Sequence, residues 1–591
     1  MNEKPKSIWK KSWSGRRGLF CGWLILMAAL AVIFLIWLVA ERMPLNKSGE
    51  ELGLFVVAGI GMTAIFLLAS AVRWIFHWRN FKKFLFGLVC FATLIALFYA
   101  EEDWRGWHAW NQFKSQWEAK GEKFDFKDFI PSPVPDDQNF ALTPIVFSSY
   151  GKMLTRDGKE IPADKRDEHF VNRLDMPIVL NYADEPTGGG TWEKAKLTDL
   201  KPWQDYYRRL AAKTNFFPVA PEPQTPAQDV LTSLSKYDST IEELRAASKL
   251  LYSRFPIDYG KDEPATILLP HLATMKNCVR ILRLRATAEL QDGQSQKALD
   301  DIKLMLYLNQ SIRTEPIFIS HLVRIAMSAI ALEPIYEGLA QHKWSDTQLA
   351  ELDAELAKLD FLADYEFSMR GEMIFGISET EYLRRSRNFQ ALDYSENGSH
   401  NSSASHLGFR LAPASFFYRN ELTIGQMHER WTLPIVDITN RTVSPKKVDQ
   451  STAAADKALQ HGWPYNILAR MIFPATGKAV TQYAREQSSI NLARTAITLE
   501  RYHLAHGNYP DSLDALAPQF IQEVPHDVIG GGPLHYRRTD DGQFVLYSVG
   551  WNETDDGGVV VFMGRDRNPR DEYNPPVDIN KGDWVWRYPQ K

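Results

Sequence analysis

Cysteine is nearly absent from this chain, with three residues in 591. Cys21 and Cys90 fall inside long apolar runs, so Cys278 stands alone beyond residue 100 and no internal disulfide can form there. A part of that size does not need one, because a large core holds a fold without cross-links. Cys278 shares a helical pattern with Ile281, Leu282 and Leu284, which predicts a buried, inert thiol. An excess of positive charge is missing too. Sixty-eight basic residues face 72 acidic ones, for a net charge of −4, so no cationic field exists to hold DNA or RNA. The 14 histidines contain no His-Glu-x-x-His and no Cys/His spacing of a zinc site. There is no Gly-x-Ser-x-Gly elbow, Walker loop or dinucleotide fingerprint, and the Gly530–Gly532 run leads through Pro533 into a predicted strand, as a hairpin turn does.

What is present is apolar length, all of it early. Gly18–Ala40 and Gly53–Phe76 each exceed the roughly 20 residues that cross a hydrocarbon core as helix, and Phe84–Ala100 sits at the lower limit. The first run is too long for the h-region of a cleaved signal peptide and has no convincing small-residue cleavage site. Lys4, Lys6, Lys10, Lys11, Arg16 and Arg17 precede the first run, and Arg73, Arg79, Lys82 and Lys83 lie between the second and third. Basic flanks stay cytoplasmic. The link between the first and second runs has only Arg42 and Lys47 against Glu41, Glu50 and Glu51, and the third run exits into Glu101, Glu102 and Asp103. The expectation is a multi-pass inner (cell) membrane protein with three transmembrane helices, a cytoplasmic N-terminus and an extracytoplasmic part from residue 101 onward.

The expected fold is membrane-anchored and mainly α. A three-span region covers residues 1–100, an interfacial aromatic helix with an irregular Pro/Gly-rich unit covers 101–230, a helical body covers 231–475, and a long helix with a small α+β module covers 476–591. Trp104, Trp107, Trp110, Phe113 and Trp117 recur at helical spacing just after the third run. Indoles favour the headgroup zone, which makes the four tryptophans membrane-interface residues, although packing on the body explains the same spacing. Between Ile130 and Pro226, prolines and the Gly188–Gly190 run punctuate short extended segments at Pro144–Ser149 and Pro177–Asn181. Ser239 with Glu242 and Ser345 with Gln348 read as capping boxes. His271–Gln291 and Ser295–Ile312 read as a helical hairpin reversing at Asp292-Gly293. This pair resembles one unit of a tetratricopeptide array in Leu284, Ala288, Leu290, Ala298, Leu299, Ile302 and Leu306, but no second copy follows, so an ordinary helical core explains it as well. Tyr394–His406 is small and polar, as disordered loops are. A long helix is expected over 478–506, with His503 and His506 near its negative end.

The most specific text comes last: Arg501–Pro510, Leu513–Leu516, Val524–Asp527, Pro533–Tyr536, Gly542–Gly550 and Asp555–Gly558. In order and spacing, residues 490–585 resemble the C-terminal module of the major pseudopilins of type II secretion systems. The resemblance implies a long helix, a short helix over Leu513–Phe520 and an antiparallel strand pair. It also implies a calcium loop, for which this chain offers Ser548, Asn552, Asp555 and Asp556, and a role as a secretion-system accessory. Arg485, Glu486, Arg494, Glu500 and Arg501 make the preceding helix too polar to be a pilin assembly stalk.

Two function classes remain. One is a non-catalytic envelope protein that presents an extracytoplasmic interaction or scaffold domain, with membrane lipid and envelope proteins as partners and no cofactor beyond that calcium. The other is a membrane-tethered hydrolase. Its catalytic residues would come from His321, Arg324, Glu333, Arg370 and Glu372, which interrupt otherwise apolar helices and must be paired if buried. Carboxylate pairs such as Glu366 with Glu372, or Glu379 with Glu381, suit glycoside chemistry and also suit a solvated helix face.

Overall fold

The computed structural model describes residues 78–150, 174–181, 184–186, 189–261, 263–388, 410–460, 465–471, 479–563 and 576–590, with Trp23, 63–65 and 67–68. Apart from those last few helical positions, the first two predicted spans lie outside the described residues, and so does the polar loop 394–406. The chain divides into two compact units, residues 1–104 and 105–591. The architecture is mainly helical with a small sheet-containing part at the C-terminal end.

The third apolar run does not end at Ala100. It belongs to a helix, α1, that runs unbroken over Trp78–Glu118, 41 residues, where a span and a separate aromatic helix were expected. Nothing between Ala100 and Trp104 breaks a helix. The one glycine nearby, Gly106, is buried where a Cβ would come within 2.8 Å of Ser415 Cα, so close packing and not a bend explains it. The stretch Phe81–Glu118 is long and apolar enough to cross a membrane, and residues 81–100 are exposed on every face. Among the described residues, a second helix, Phe318–Ala340, has the length and composition to cross a membrane, but half of its apolar window is buried inside the protein.

In the second unit α2 (Lys201–Ala211), α3 (Pro226–Leu234) and α4 (Asp238–Ala247) lead into the hairpin α5 (Pro270–Gln291) and α6 (Ser295–Ser311). Gly293, at φ +79°, makes the reversal. Next come α7 (Phe318–Ala340), α8 (Asp346–Leu356), α9 (Phe361–Ser386), α10 (Ala414–Met427), α11 (Pro445–Gln460) and α12 (Ala479–His506). Helix α7 packs against α5, α6, α9 and α12, which is why it reads as apolar almost all round. Helix α8 carries the expected capping box, with Ser345 accepting from the Gln348 amide and the Gln348 side chain accepting from that of Ser345. The box at Ser239 does not form. The chain enters α4 directly from a 3-10 turn over Ser235–Tyr237, so its first amides already have helical partners.

The segment before the helices also departs from expectation. Pro144–Phe147 is a helical turn, continued as 3-10 over Ser148–Tyr150. Proline's fixed φ suits a first helical position, and Pro144 takes it. No strand longer than an isolated bridge occurs among the described residues of 130–226. Phe140, Trp192, Trp203 and Tyr207 instead join the main core.

Strands β1 (Val436–Asp437) and β2 (Thr442–Val443) pair antiparallel, β3 (His535–Arg538), β4 (Phe544–Ser548) and β7 (Trp584–Arg587) form an antiparallel sheet in the order β3-β4-β7, and β5 (Val560–Phe562) pairs with β6 (Val577–Gly582). Leu546 sits opposite Tyr536 on one side and Trp586 on the other. Trp586 stacks on Trp192 at 5.1 Å, and the Tyr336 hydroxyl donates to the Arg587 carbonyl at 3.0 Å, which locks the sheet onto α7. Cys278 is fully buried and burial pushes its thiol up to about 12, as an inert cysteine requires.

Gly371 of α9 faces the Pro316 carbonyl so closely that a Cβ would collide with backbone. Gly371→Ala is therefore expected to cost about 1–3 kcal/mol through overpacking, against the usual gain of alanine in a helix. Urea denaturation checks it, and a stabilised variant would contradict this packing.

Candidate functional site

The five polar residues singled out in the apolar helices do not form one site. His321 and Arg324 are one turn apart on α7 and share a face. Arg324 is fully buried and donates to Asp364 Oδ2 at 2.5 Å, to the Asn309 carbonyl at 3.0 Å and to His321 Nδ1 at 3.4 Å. His321 Nε2 donates in turn to the Glu315 carbonyl at 2.9 Å. This histidine is neutral, since burial and the neighbouring guanidinium hold its pKa down to about 3. His321, Arg324 and Asp364 are each paired, and none of the three lines the large cleft described below.

Glu333 is nine residues beyond Arg324, half a turn off that face. Its carboxylate accepts from the Trp192 amide at 3.1 Å, and burial pushes its pKa up to about 8. Arg370 grips Glu122 through two hydrogen bonds of 2.8 and 2.9 Å and pairs with Glu366 at 2.7 Å. Glu372, two residues on, lies on another face of α9, where burial pushes it up to about 7. Of the carboxylates paired in the sequence, Glu366 is thus taken by Arg370, and Glu379 accepts from the Ala265 amide at 3.0 Å. Only Glu381 opens onto a large cavity.

That cavity is a cleft of about 830 Å³ built by five parts of the second unit. Trp107, Trp110, Asn111 and Lys114 present one face of α1 at spacings of three, four and seven. Phe124–Lys127 follow it, where Asp125 caps a 3-10 turn by accepting from the Lys127 amide at 3.0 Å. Residues 259–267, the end of α9, and Tyr418 and Glu421 of α10 complete the wall. Beneath it, Trp110 packs edge-on to Phe124 with ring centroids 5.8 Å apart, and Phe113 lies against Gly425, where a Cβ would come within 2.6 Å of its ring. The tryptophan row therefore divides. Trp110 is 7% exposed and is core, whereas Trp104 and Trp107 are 61% and 48% exposed. Trp117 is half-buried under the Lys120 ammonium, 3.8 Å from its ring.

Five cationic side chains line the cleft, Lys114, Lys127, Lys261, Arg384 and Arg385, against the carboxyls of Asp125, Glu381 and Glu421. Burial acts to raise Glu381, but its bonds from Arg384 at 2.7 and 2.8 Å and from Arg385 at 2.7 Å outweigh that and hold it below the usual carboxylate range. Glu421 is 2% exposed, and burial, then the charge of Glu381, pushes it up to about 8. At neutral pH Glu421 thus carries a proton beside an ionised Glu381. The cleft is equipped to bind, with aromatic walls and an excess of positive charge. Sequence reasoning found Glu381 and the tryptophans but missed Glu421, Lys127 and Lys261, which are brought together from distant segments.

In the C-terminal module Asn552 and Asp556 bond each other, while Ser548 and Asp555 turn to partners outside the four. Ser548 donates to Asp527 at 2.7 Å, Asn552 to Asp556 at 2.8 Å, and Asp555 accepts from Tyr547 at 3.0 Å. The acidic turn is closed by Asp583, which accepts from the amides of Asp556, Gly558 and Val559. His506 Nδ1 faces the Tyr502 carbonyl at 3.0 Å, a contact that suits a helix C-terminus, while His503 stacks on His342 with centroids 5.2 Å apart. The chain matches no protein-family model, no curated protein and no solved structure.

Proposed function

We propose that this protein is a non-catalytic envelope protein. Three membrane helices anchor an extracytoplasmic binding domain, and the cleft of that domain holds an anionic headgroup, the phosphate of a lipid or of a lipid-like envelope component. The observation that carries the reading is the cleft itself, in which Lys114, Lys127, Lys261, Arg384 and Arg385 outnumber the ionised carboxyls beside exposed indole. Its volume lies in the range of small-ligand sites. Chain connectivity adds to it. Trp107 follows Ala100 by seven residues, so the backbone alone keeps it within roughly 25 Å of the end of the third apolar run. The charge asymmetry of the loops supports the extracytoplasmic placement. The hydrolase reading loses support because its five residues are dispersed, with His321, Arg324, Glu333 and Arg370 each held by a partner of its own.

Native mass spectrometry of the full chain in mild detergent tests the binding. Phosphatidylglycerol is expected to be retained in preference to phosphatidylcholine, and Lys127→Glu with Arg385→Glu should weaken that retention roughly 30-fold, at about 1 kcal/mol per basic side chain near anionic lipid. Retention indifferent to headgroup charge, or unchanged in the double variant, would overturn it. A reporter active only outside the cytoplasm, fused after Lys591, tests the placement independently, and a stable but inactive fusion would refute it.

A further inference from the structure

We propose that His342, Glu500 and His503 form a zinc site in the second unit, remote in sequence from the cleft and independent of the reading given for it. Among the described residues, these three are the one group of imidazole, thiol and carboxylate side chains whose ligand atoms all lie within 4.8 Å of one another. Glu500 is fully buried near the end of α12, with His503 three residues on and on the same face. His342 comes from the other side, just past the end of α7. Its Nδ1 stands 2.7 Å from Glu500 Oε1. At that distance one hydrogen lies between the imidazole nitrogen and the carboxylate oxygen, and a metal would take its place and release it to solvent.

Four further observations point the same way. His503 Nδ1 is buried without a hydrogen-bond partner, a cost that a bound ion removes. Glu500 Oε2 accepts from the Tyr509 hydroxyl at 2.8 Å, the outer-shell bond that orients a ligating carboxylate. Tyr509 also stacks on His503 with centroids 4.7 Å apart and restrains the ring. Finally, His342 has φ +50°, a left-handed conformation at a helix end where glycine is customary, and that conformation sets its imidazole against Glu500.

The donor set selects the ion. Two imidazole nitrogens and one carboxylate oxygen suit zinc, whereas calcium takes six to eight oxygens. Tetrahedral zinc bonds of about 2.0–2.1 Å place donors about 3.3 Å apart, so the present cluster would contract by no more than about 1.5 Å. The His342 side chain is 41% exposed, which leaves an open side for a fourth ligand from solvent. The ion would clip the end of α7 to the end of α12. The sequence shows no such site because its ligands stand 158 residues apart.

The test is zinc titration of the chelator-treated full chain in detergent against a chromogenic zinc competitor. One equivalent is expected to bind, and zinc should raise the unfolding temperature. His342→Gln, on the exposed side, and His503→Gln should each weaken binding by roughly 100-fold, and Tyr509→Phe by about tenfold. X-ray absorption of the wild-type complex should show two imidazoles in the first shell. Lack of binding in a folded wild type, or one equivalent retained by the folded His342→Gln/His503→Gln double variant, would overturn the site.

Discussion

Asp364→Ala is expected to destabilise the second unit by about 3–5 kcal/mol, the effect of leaving a buried charge without its partner. Arg324 is fully buried, and Asp364 is its carboxylate partner at 2.5 Å, with Arg313 adding a weaker contact of 3.2 Å to the same group. Once the carboxylate is gone, the Asn309 carbonyl and His321 remain as hydrogen-bond partners for the guanidinium, but neither carries a negative charge. Replacing both partners by apolar residues, as in Arg324→Met with Asp364→Leu, should restore much of the loss, because the pair is not stabilising in itself. Urea denaturation of the full chain in detergent measures each variant. An alanine variant within 1 kcal/mol of wild type would mean that Arg324 is not held as described.

Stability should also fall as pH rises from about 5 to 8. Glu421 and Glu289 each have a carboxyl raised from 4.5 to about 8, in both cases chiefly by burial. Below pH 4.5 folded and unfolded chains are both protonated at these sites, and the stabilisation is fully present. Between 4.5 and 8 the unfolded chain ionises while the folded one keeps its protons, so stability is lost with rising pH. Above about 8 both states are charged and the loss is complete. Each group accounts for on the order of 3–5 kcal/mol across that window, at about 1.4 kcal/mol per pKa unit. Glu421→Gln keeps the neutral form beside Glu381. It should flatten the pH profile and be more stable than wild type at pH 8. Identical slopes between pH 5 and 8 for the two proteins would show that Glu421 is not protonated in the folded state.

Periodicity was most reliable where one segment makes its own structure. The hairpin of α5 and α6 and the long α12 lie where local patterning places them. It failed where a neighbour decides. Ser239 and Glu242 spell a capping box, yet the chain before them is already helical. Pro144–Ser149 resembles a strand in composition but folds as a helical turn in the common core. Strand β7 was not foreseen, because Trp584–Arg587 pairs with β4 across a long separation.

The sequence by itself determined the apolar runs and their flanking charge, the lack of cross-links, the helical character of the body and the burial of Cys278. Each of these depends on residues close together in the chain, where periodicity, charge and volume act directly. Tertiary structure alone decided the partnerships. It dispersed His321, Arg324, Glu333, Arg370 and Glu372, which share only their oddity in apolar helices. It gathered Glu421, Lys127 and Lys261 around the tryptophans of α1, and it set His342 against Glu500 and His503. Whether a buried polar group is paired, strained or open to a ligand depends on which distant segment packs against it, and no local pattern records that.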